Sequence, residues 1–313
     1  MKVLVVGAGA IGGYFGGRLL EKGEDVTFLV REQRKEKLQQ TGLEIRSKNG
    51  DLQLTPKLIT KNDDSQLFDV ILMSTKSYHL EHAIKDIQSF VGPETMILPL
   101  LNGIAHVETL VEAFGEERVI GGLCFVETTL SEDGAVVQTS PVNQLVYGER
   151  TGETTERIEK LEECFSGTKA EFVKSDNINQ DMWHKYLFIT AMSGITSLME
   201  MPIGPIRDLE SGQRTIQAFL EELVAVMEEI EAPIQQGIAE IQLKRINSMA
   251  AEMKSSMQRD VEKRQPTEFE HLQGYLLTQA KEVSIPVPIL ETIYTKLKLY
   301  ELKIAMNKQM ENA

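Results

Sequence analysis

The chain has almost no cysteine, a single tryptophan and no apolar run long enough to span a bilayer. Its 313 residues include 2 cysteines, Cys124 and Cys164. They lack metal-ligand spacing and can form at most one bridge, which argues against a disulfide scaffold or a thiolate metal site and predicts free thiols in a reducing compartment. A membrane-spanning helix needs roughly 18 to 20 consecutive apolar residues, and none is found. Met1-Lys2-Val3-Leu4-Val5-Val6 runs directly into a glycine motif without a signal-peptide cleavage pattern, so a cytoplasmic protein with no membrane partner is expected. Positive charge is scarce as well: 33 Lys and Arg against 47 Asp and Glu give a formal net charge of -14. That field repels nucleic acid phosphates over most of the surface and argues against nucleic acid as a partner. An anionic ligand then requires a local pocket of Lys or Arg.

What remains is an ordinary globular composition, 42% hydrophobic and 26% charged, in a chain long enough for two cores. Val3 to Val6 reads as a short buried strand ending at Gly7, Ile11 to Glu21 as a helix, and Val26 to Val30 as a second strand. This is a complete βαβ unit. Val70 to Met73 and Met96 to Leu100 repeat the pattern of a strand followed by a helix-like stretch, as in a parallel sheet covered on both faces. Between Val119 and Tyr147 the β-rich runs predict antiparallel additions at that sheet's edge, and Glu171 to Val173 a last strand. From Ile178 onward helical periodicity takes over, at Trp183 to Met199, Ile216 to Ile230, Ile234 to Ile246 and Ile289 to Ile304. The expectation is an α/β, doubly wound Rossmann-type domain over residues 1-177 and an all-α domain over residues 178-313, joined by a tight hinge near Asp176.

Gly7-Ala8-Gly9-Ala10-Ile11-Gly12 fits the pattern G-x-G-x-x-G between a strand and a helix. Gly7 permits the sharp turn, Gly9 lets a pyrophosphate approach the backbone, and Gly12 lets helix and strand pack closely. The free N–H groups at the helix start then favour phosphate. At the end of the second strand a carboxylate selects NAD and a guanidinium accommodates the 2′-phosphate of NADP. Arg31 occupies that place with Arg34 nearby, which favours NADP (NADPH), although Glu32 keeps NAD open if the strand is one residue longer.

Gly7 to Gly12, Arg31, Ser74-Thr75-Lys76, Leu101-Asn102-Gly103, Trp183-His184-Lys185, Ser255-Ser256-Met257 and Thr267-Glu268 followed by Gly274 occur in an order that resembles ketopantoate reductases (2-dehydropantoate 2-reductases). The resemblance runs to near residue 285. It implies a helical domain of the 6-phosphogluconate dehydrogenase C-terminal-like kind that closes over the substrate, and NADPH-dependent reduction of ketopantoate to pantoate in pantothenate biosynthesis. By resemblance Lys185 is the general acid, stabilising charge on the carbonyl oxygen and then supplying a proton. Glu268 resembles the carboxylate that orients substrate and cofactor hydroxyls and partners the lysine. Asn102, at the carboxyl end of a strand, can bridge nicotinamide ribose and substrate, Lys76 at the equivalent place after the preceding strand is expected to face the cofactor, and Ser256 resembles the serine that holds the substrate carboxylate.

The sequence departs from the family where asparagines follow the lysine at four, eight and eighteen residues. Those positions hold Ile189, Ser193 and Ile203. Ser193 stays among the expected substrate contacts, but lost amides weaken recognition of a hydroxylated acid, so a more apolar 2-oxo acid is an alternative substrate. A further alternative is an NADPH-binding sensor without turnover, against which the presence of both Lys185 and Glu268 argues. His79, His82, His106, His184 and His271 provide no third metal ligand at a plausible spacing. The helix from Ile289 to about Met306 can pack on its own domain or on a second copy, leaving monomer and homodimer both open.

Overall fold

The computed structural model describes residues 1–311, apart from the side chains of 308, 310 and 311. The chain divides into two compact units: Met1–Leu101 with His106–Asn179, and Asn102–Ala105 with the chain from Gln180 onward.

In the first unit, β1 (Lys2–Val6), β2 (Asp25–Leu29), β5 (Lys57–Ile59), β6 (Val70–Met73) and β7 (Met96–Pro99) form a parallel sheet of order β5-β2-β1-β6-β7. Alternation along β1 sends its side chains to both faces. Val3 and Val5 join one core with Tyr14 and Phe15 of α1 (Ala10–Lys22), while Leu4 and Val6 join another with Ile84 and Leu110 of α3 (Leu80–Ile87) and α4 (His106–Phe114). The sheet is therefore buried on both sides, which explains why its strands read as continuous apolar runs.

A second sheet faces α1. The long strand β9 (Val136–Gly148) pairs antiparallel with β8 (Gly121–Leu130) on one edge. Its other edge carries β3 (Leu43–Ser47) and β10 (Glu171–Lys174), both parallel to it, with β4 (Leu52–Leu54) beyond β3. The expected additions to the edge of the parallel sheet are thus a separate sheet; among the described residues only an isolated Ile97 to Val119 bridge continues the first one. The short strands β3, β4 and β5, which lie to either side of the turn at Gly50, were not anticipated.

Helix α1 fits between the sheets because it has glycine on two faces. A Cβ on Gly16 would stand 2.7 Å from Val5 and 2.9 Å from Phe28 of the parallel sheet, and one on Gly13 would stand 2.8 Å from Val136 of the second. Gly12 lies on the first of these faces and Gly17 on the second, meeting Ile45. Residues four apart share a helix face, so the pairs Gly12/Gly16 and Gly13/Gly17 are the two contact surfaces.

Helix α2 (Glu32–Thr41) follows β2, and α5 (Glu156–Phe165) precedes β10, capped by Thr155. Helix α6 (Ile178–Met199) starts in the first unit and continues into the second, so the division falls within a helix, just beyond the hinge expected near Asp176. The second unit also contains α7 (Ile203–Arg207), α8 (Glu210–Glu229), α9 (Ile238–Ser248), α10 (Ser256–Glu262), α11 (Tyr275–Glu282) and α12 (Pro288–Glu311). The helix expected from Ile234 begins only at Ile238, after Gly237 at φ +73. Helix α12 buries Leu290, Ile293 and Leu297 and leaves Leu299, Leu302 and Met306 exposed. The Glu222 carboxylate of α8 accepts hydrogen bonds from the α12 backbone N–H groups of Ile289 and Leu290, at 3.0 to 3.1 Å. Among the described residues no helix is long and apolar enough to cross a membrane.

Candidate active site

In the first unit the turn after β1 is built for a close approach to backbone. Gly7 lies at φ +91, and its N–H donates to the Leu29 carbonyl of β2 at 2.9 Å. The Ser74 hydroxyl, just past β6, donates to the Val6 carbonyl at 2.8 Å and reaches the Gly7 carbonyl at 3.3 Å. Gly9 is the N-cap of α1 and provides no side-chain cap, so the N–H groups of the first turn remain for an anion. The two later glycines of the motif differ. A Cβ at Gly12 would collide with the Gly7 carbonyl, Ser74 and Val5, whereas one at Gly9 meets nothing within 4 Å. Gly12 is required by the protein's own packing, and Gly9 leaves open space at a helix start, where a diphosphate fits.

Because β2, β1 and β6 are neighbours, their carboxyl ends place Arg31, the glycine turn and Ser74 to Lys76 along one edge. Arg31 is exposed and stands at the N-cap position of α2 without a capping hydrogen bond from its side chain. Arg34, half-buried, donates from Nη2 to the Ala8 carbonyl at 3.1 Å and to the Gly134 carbonyl at 3.2 Å, fastening the glycine turn to the β8–β9 hairpin. Burial pulls its pKa down from the ordinary arginine value. The imidazole of His79 is held below its ordinary value, first by burial and then by the positive charges of Arg31 and His82. Lys76 is exposed and precedes a short 3-10 turn, Ser77–His79. This is a local concentration of cations in a chain whose net charge is -14, and the residues fit the diphosphate of a dinucleotide.

The second unit gathers the expected polar side chains around α6. Lys185 is 6% exposed, and its Nζ donates to Asn102 Oδ1 at 3.2 Å. Asn102 reaches it because Asn102–Ala105 leave the first unit's strand and turn to join the second. Gly103 allows this turn: it lies at φ +90, and a Cβ there would come within 3.0 Å of the His271 carbonyl.

Glu268 is 8% exposed. Its carbonyl accepts from the N–H groups of His271 and Leu272, both at 3.1 Å, at the entry to a π-helical turn, Glu270–Gly274. Such turns are rare and recur at functional sites. Tyr186 fixes the turn to α6 by donating its hydroxyl to the Leu272 carbonyl at 2.5 Å. Burial keeps the His271 imidazole below its ordinary value against the pull of Glu268 and Glu270.

The other expected residues are spread along the same unit. Ser193 is buried, its hydroxyl accepting from Gln273 Nε2 at 2.9 Å. Ser256 is exposed and opens α10; its neighbour Ser255 caps that helix and shares a 2.8 Å hydrogen bond with Thr196 of α6. Ile189 is half-buried, whereas Ile203 is wholly buried in α7 and serves packing. His184 turns away from the lysine, accepting from the Gln235 N–H at 3.0 Å. Cys124 and Cys164 are buried free thiols, and among the described residues no three His, Cys, Asp or Glu side chains are placed to hold a metal. A buried polar side chain with no signal in sequence is Gln273, which reaches α6 from the π-helical turn.

Comparison with known proteins places these two halves in one family. Residues 3–152 match the family description "Ketopantoate reductase PanE/ApbA", and residues 177–301 match "Ketopantoate reductase PanE/ApbA C terminal". The chain is 47% identical over 301 residues to the uncharacterized oxidoreductase YkpB of Bacillus subtilis (strain 168), covering 96% of this chain and 99% of the relative. It is 28% identical over 308 residues to a 2-dehydropantoate 2-reductase of Pyrococcus horikoshii, covering 96% and 98%. The crystal structure of 2-dehydropantoate 2-reductase from Methylococcus capsulatus is similar at a TM-score of 0.87 with 26% identity, covering 97% of this chain and 98% of that one. The chain belongs to the PanE/ApbA ketopantoate reductase family, nicotinamide-dependent oxidoreductases acting on 2-oxo and 2-hydroxy acid pairs.

Proposed function

We propose that this protein reduces 2-dehydropantoate (ketopantoate) to pantoate with NADPH, the step that supplies pantothenate biosynthesis, and that Lys185 is the proton donor. The observation that carries the reading is the buried Lys185 ammonium held at 3.2 Å by Asn102. An ammonium held in place by a neighbouring amide is oriented to act on a substrate oxygen. In the first unit, the turn from Gly7 through Ala8, Gly9, Ala10 and Ile11 to Gly12 holds the diphosphate, with Lys76 beside it and Arg31 taking the 2′-phosphate. When bound, the dinucleotide supplies hydride to C2 of the oxo acid. As the C2–O π bond becomes a C–H bond and an alkoxide, the Lys185 ammonium stabilises the charge and passes its proton to that oxygen, yielding the 2-hydroxy acid. Glu268 orients the substrate and cofactor hydroxyls, Ser256 contacts the substrate, and Ser193 acts on it through the Gln273 amide that its hydroxyl holds at 2.9 Å.

The test is steady-state oxidation of NADPH and of NADH with ketopantoate beside a panel of branched-chain 2-oxo acids. Ketopantoate with NADPH should give the highest kcat/KM, and Arg31→Ala should weaken NADPH by about tenfold or more while leaving NADH nearly unchanged. Preference for a non-hydroxylated acid overturns the substrate, and absence of turnover with every pair overturns the enzyme. Ile189 and Ile203 at positions where the family has asparagine favour a second reading, a more apolar 2-oxo acid processed by the same lysine.

A further inference from the structure

The π-helical turn after Glu268 carries a side chain whose amide oxygen neither the fold nor the chemistry above accounts for. Gln273 is 0% exposed. Its amide nitrogen donates to the Ser193 hydroxyl at 2.9 Å and to the Thr190 carbonyl at 3.1 Å, both on α6. Its carbonyl oxygen has no hydrogen-bond partner. One turn beyond Ser193 on the same helix, the Ser197 hydroxyl is also buried without a partner.

The orientation of this amide is determined by its surroundings. Exchanging the two ends would set the amide oxygen against the Thr190 carbonyl, two acceptors facing each other, so the nitrogen must take that side. The orphan is then an acceptor, and what completes it must be a donor. A buried carbonyl without a partner is destabilising in a low-dielectric interior, so its retention calls for a donor that arrives with something the protein binds. Ser193, which anchors the amide, stands eight residues after Lys185, about two turns along α6. Half-buried Ile189 lies between them on that side of the helix.

We propose that Gln273 is the specificity-determining residue of the substrate site, its carbonyl oxygen accepting a hydrogen bond from a hydroxyl on the side chain of the 2-oxo acid. This rests on the reading of the chain as a 2-oxo acid reductase and narrows it to hydroxylated substrates. An amide from the π-turn does the recognition, and Ser193 positions it. A site built to satisfy a hydroxyl discriminates strongly against the analogue that lacks one, because the buried acceptor is left unpaired. A purely packing role for Gln273 produces no such discrimination.

The experiment compares ketopantoate with 3,3-dimethyl-2-oxobutanoate, which differs only by the missing hydroxyl, in the wild type, Gln273→Met and Ser193→Ala. Methionine nearly conserves the side-chain volume, and thermal unfolding verifies folding. The wild type should prefer the hydroxylated acid, and Gln273→Met should reduce that ratio of kcat/KM about tenfold or more, chiefly through KM for ketopantoate, with a smaller loss for the deoxy acid than for ketopantoate. Ser193→Ala, which releases one of the two anchors, should reduce the ratio about threefold, and it carries the test if Gln273→Met does not fold. A ratio unchanged in folded variants of an active enzyme overturns the role of Gln273 and leaves the reductase standing. A wild type that reduces neither acid overturns the reductase and, with it, this proposal.

Discussion

The two units hold their parts of the chemistry in opposite ways. In the first, the proposed ligand-facing surface is backbone: a turn at Gly7, an uncapped helix start at Gly9 and a helix narrow enough to lie between two sheets. In the second the proposed site is made of side chains: Asn102 and Lys185 hydrogen-bond one another, as do Ser193 and Gln273, and Glu268 is placed through its backbone carbonyl at the π-turn. A backbone site forms from a few contiguous small residues, whereas a side-chain site forms only once the core around it has packed.

The largest separation between the two should come from Lys185→Ala. Loss of the proton donor is expected to lower kcat by about a thousandfold, roughly 4 kcal/mol of transition-state stabilisation. Nucleotide affinity, measured by fluorescence titration, should stay within about twofold of wild type, because the phosphate contacts lie on the other unit. Loss of nucleotide binding in this variant would mean that the division of labour drawn here is wrong.

Within the first unit a pair of glycines sharpens the contrast. Gly12→Ala drives a methyl against the Gly7 carbonyl, which is backbone and cannot turn aside. The expected cost is about 3 kcal/mol of stability from overpacking, read by denaturant unfolding. Gly9→Ala places its methyl in open space. Stability should move by less than about 0.5 kcal/mol, yet nucleotide affinity should fall about tenfold, because the methyl stands where the diphosphate approaches. Equal destabilisation by both variants would show that Gly9, too, serves only packing.

The same difference governs how much could be read in advance. The strands at Val3–Val6, Val70–Met73 and Met96–Pro99 were legible because burial on both faces imposes apolar runs, and Gly7 to Gly12 because each glycine answers a local backbone need. Strands β3 to β5 were not: they are short, partly exposed and of mixed polarity, so neither periodicity nor hydropathy marks them. The runs between Val119 and Tyr147 mark β-structure in sequence but not the sheet they join, since pairing depends on α1 intervening. In the second unit, four helical segments are followed by Glu200, Glu231, Arg264 and Ser284, all at positive φ, where glycine would have signalled the boundary. The roles proposed for Lys185, Glu268, Asn102 and Ser256 rest on resemblance to a family, and Gln273 has no sequence signal.

The smallest expected effect probes whether the second unit's site is as dependent on packing as this contrast requires. His271 is partly buried at the π-turn; its N–H donates to the Glu268 carbonyl and its own carbonyl lies against Gly103. Burial depresses its pKa although Glu268 and Glu270 pull it upward, so the folded chain prefers the neutral ring. The sign follows: the stabilising contribution is complete above the ordinary histidine value near 6.5 and is lost as pH falls below it towards the folded value. Between pH 7 and pH 5 the thermal midpoint of the wild type should therefore drop by about 2 °C more than that of His271→Gln. His79 and His184 are depressed by burial in the same direction, which is why the difference between wild type and variant, rather than the pH profile alone, isolates the π-turn. Equal drops in the two proteins would mean that protonating His271 does not strain the turn, and that the side-chain site tolerates a charge in its wall.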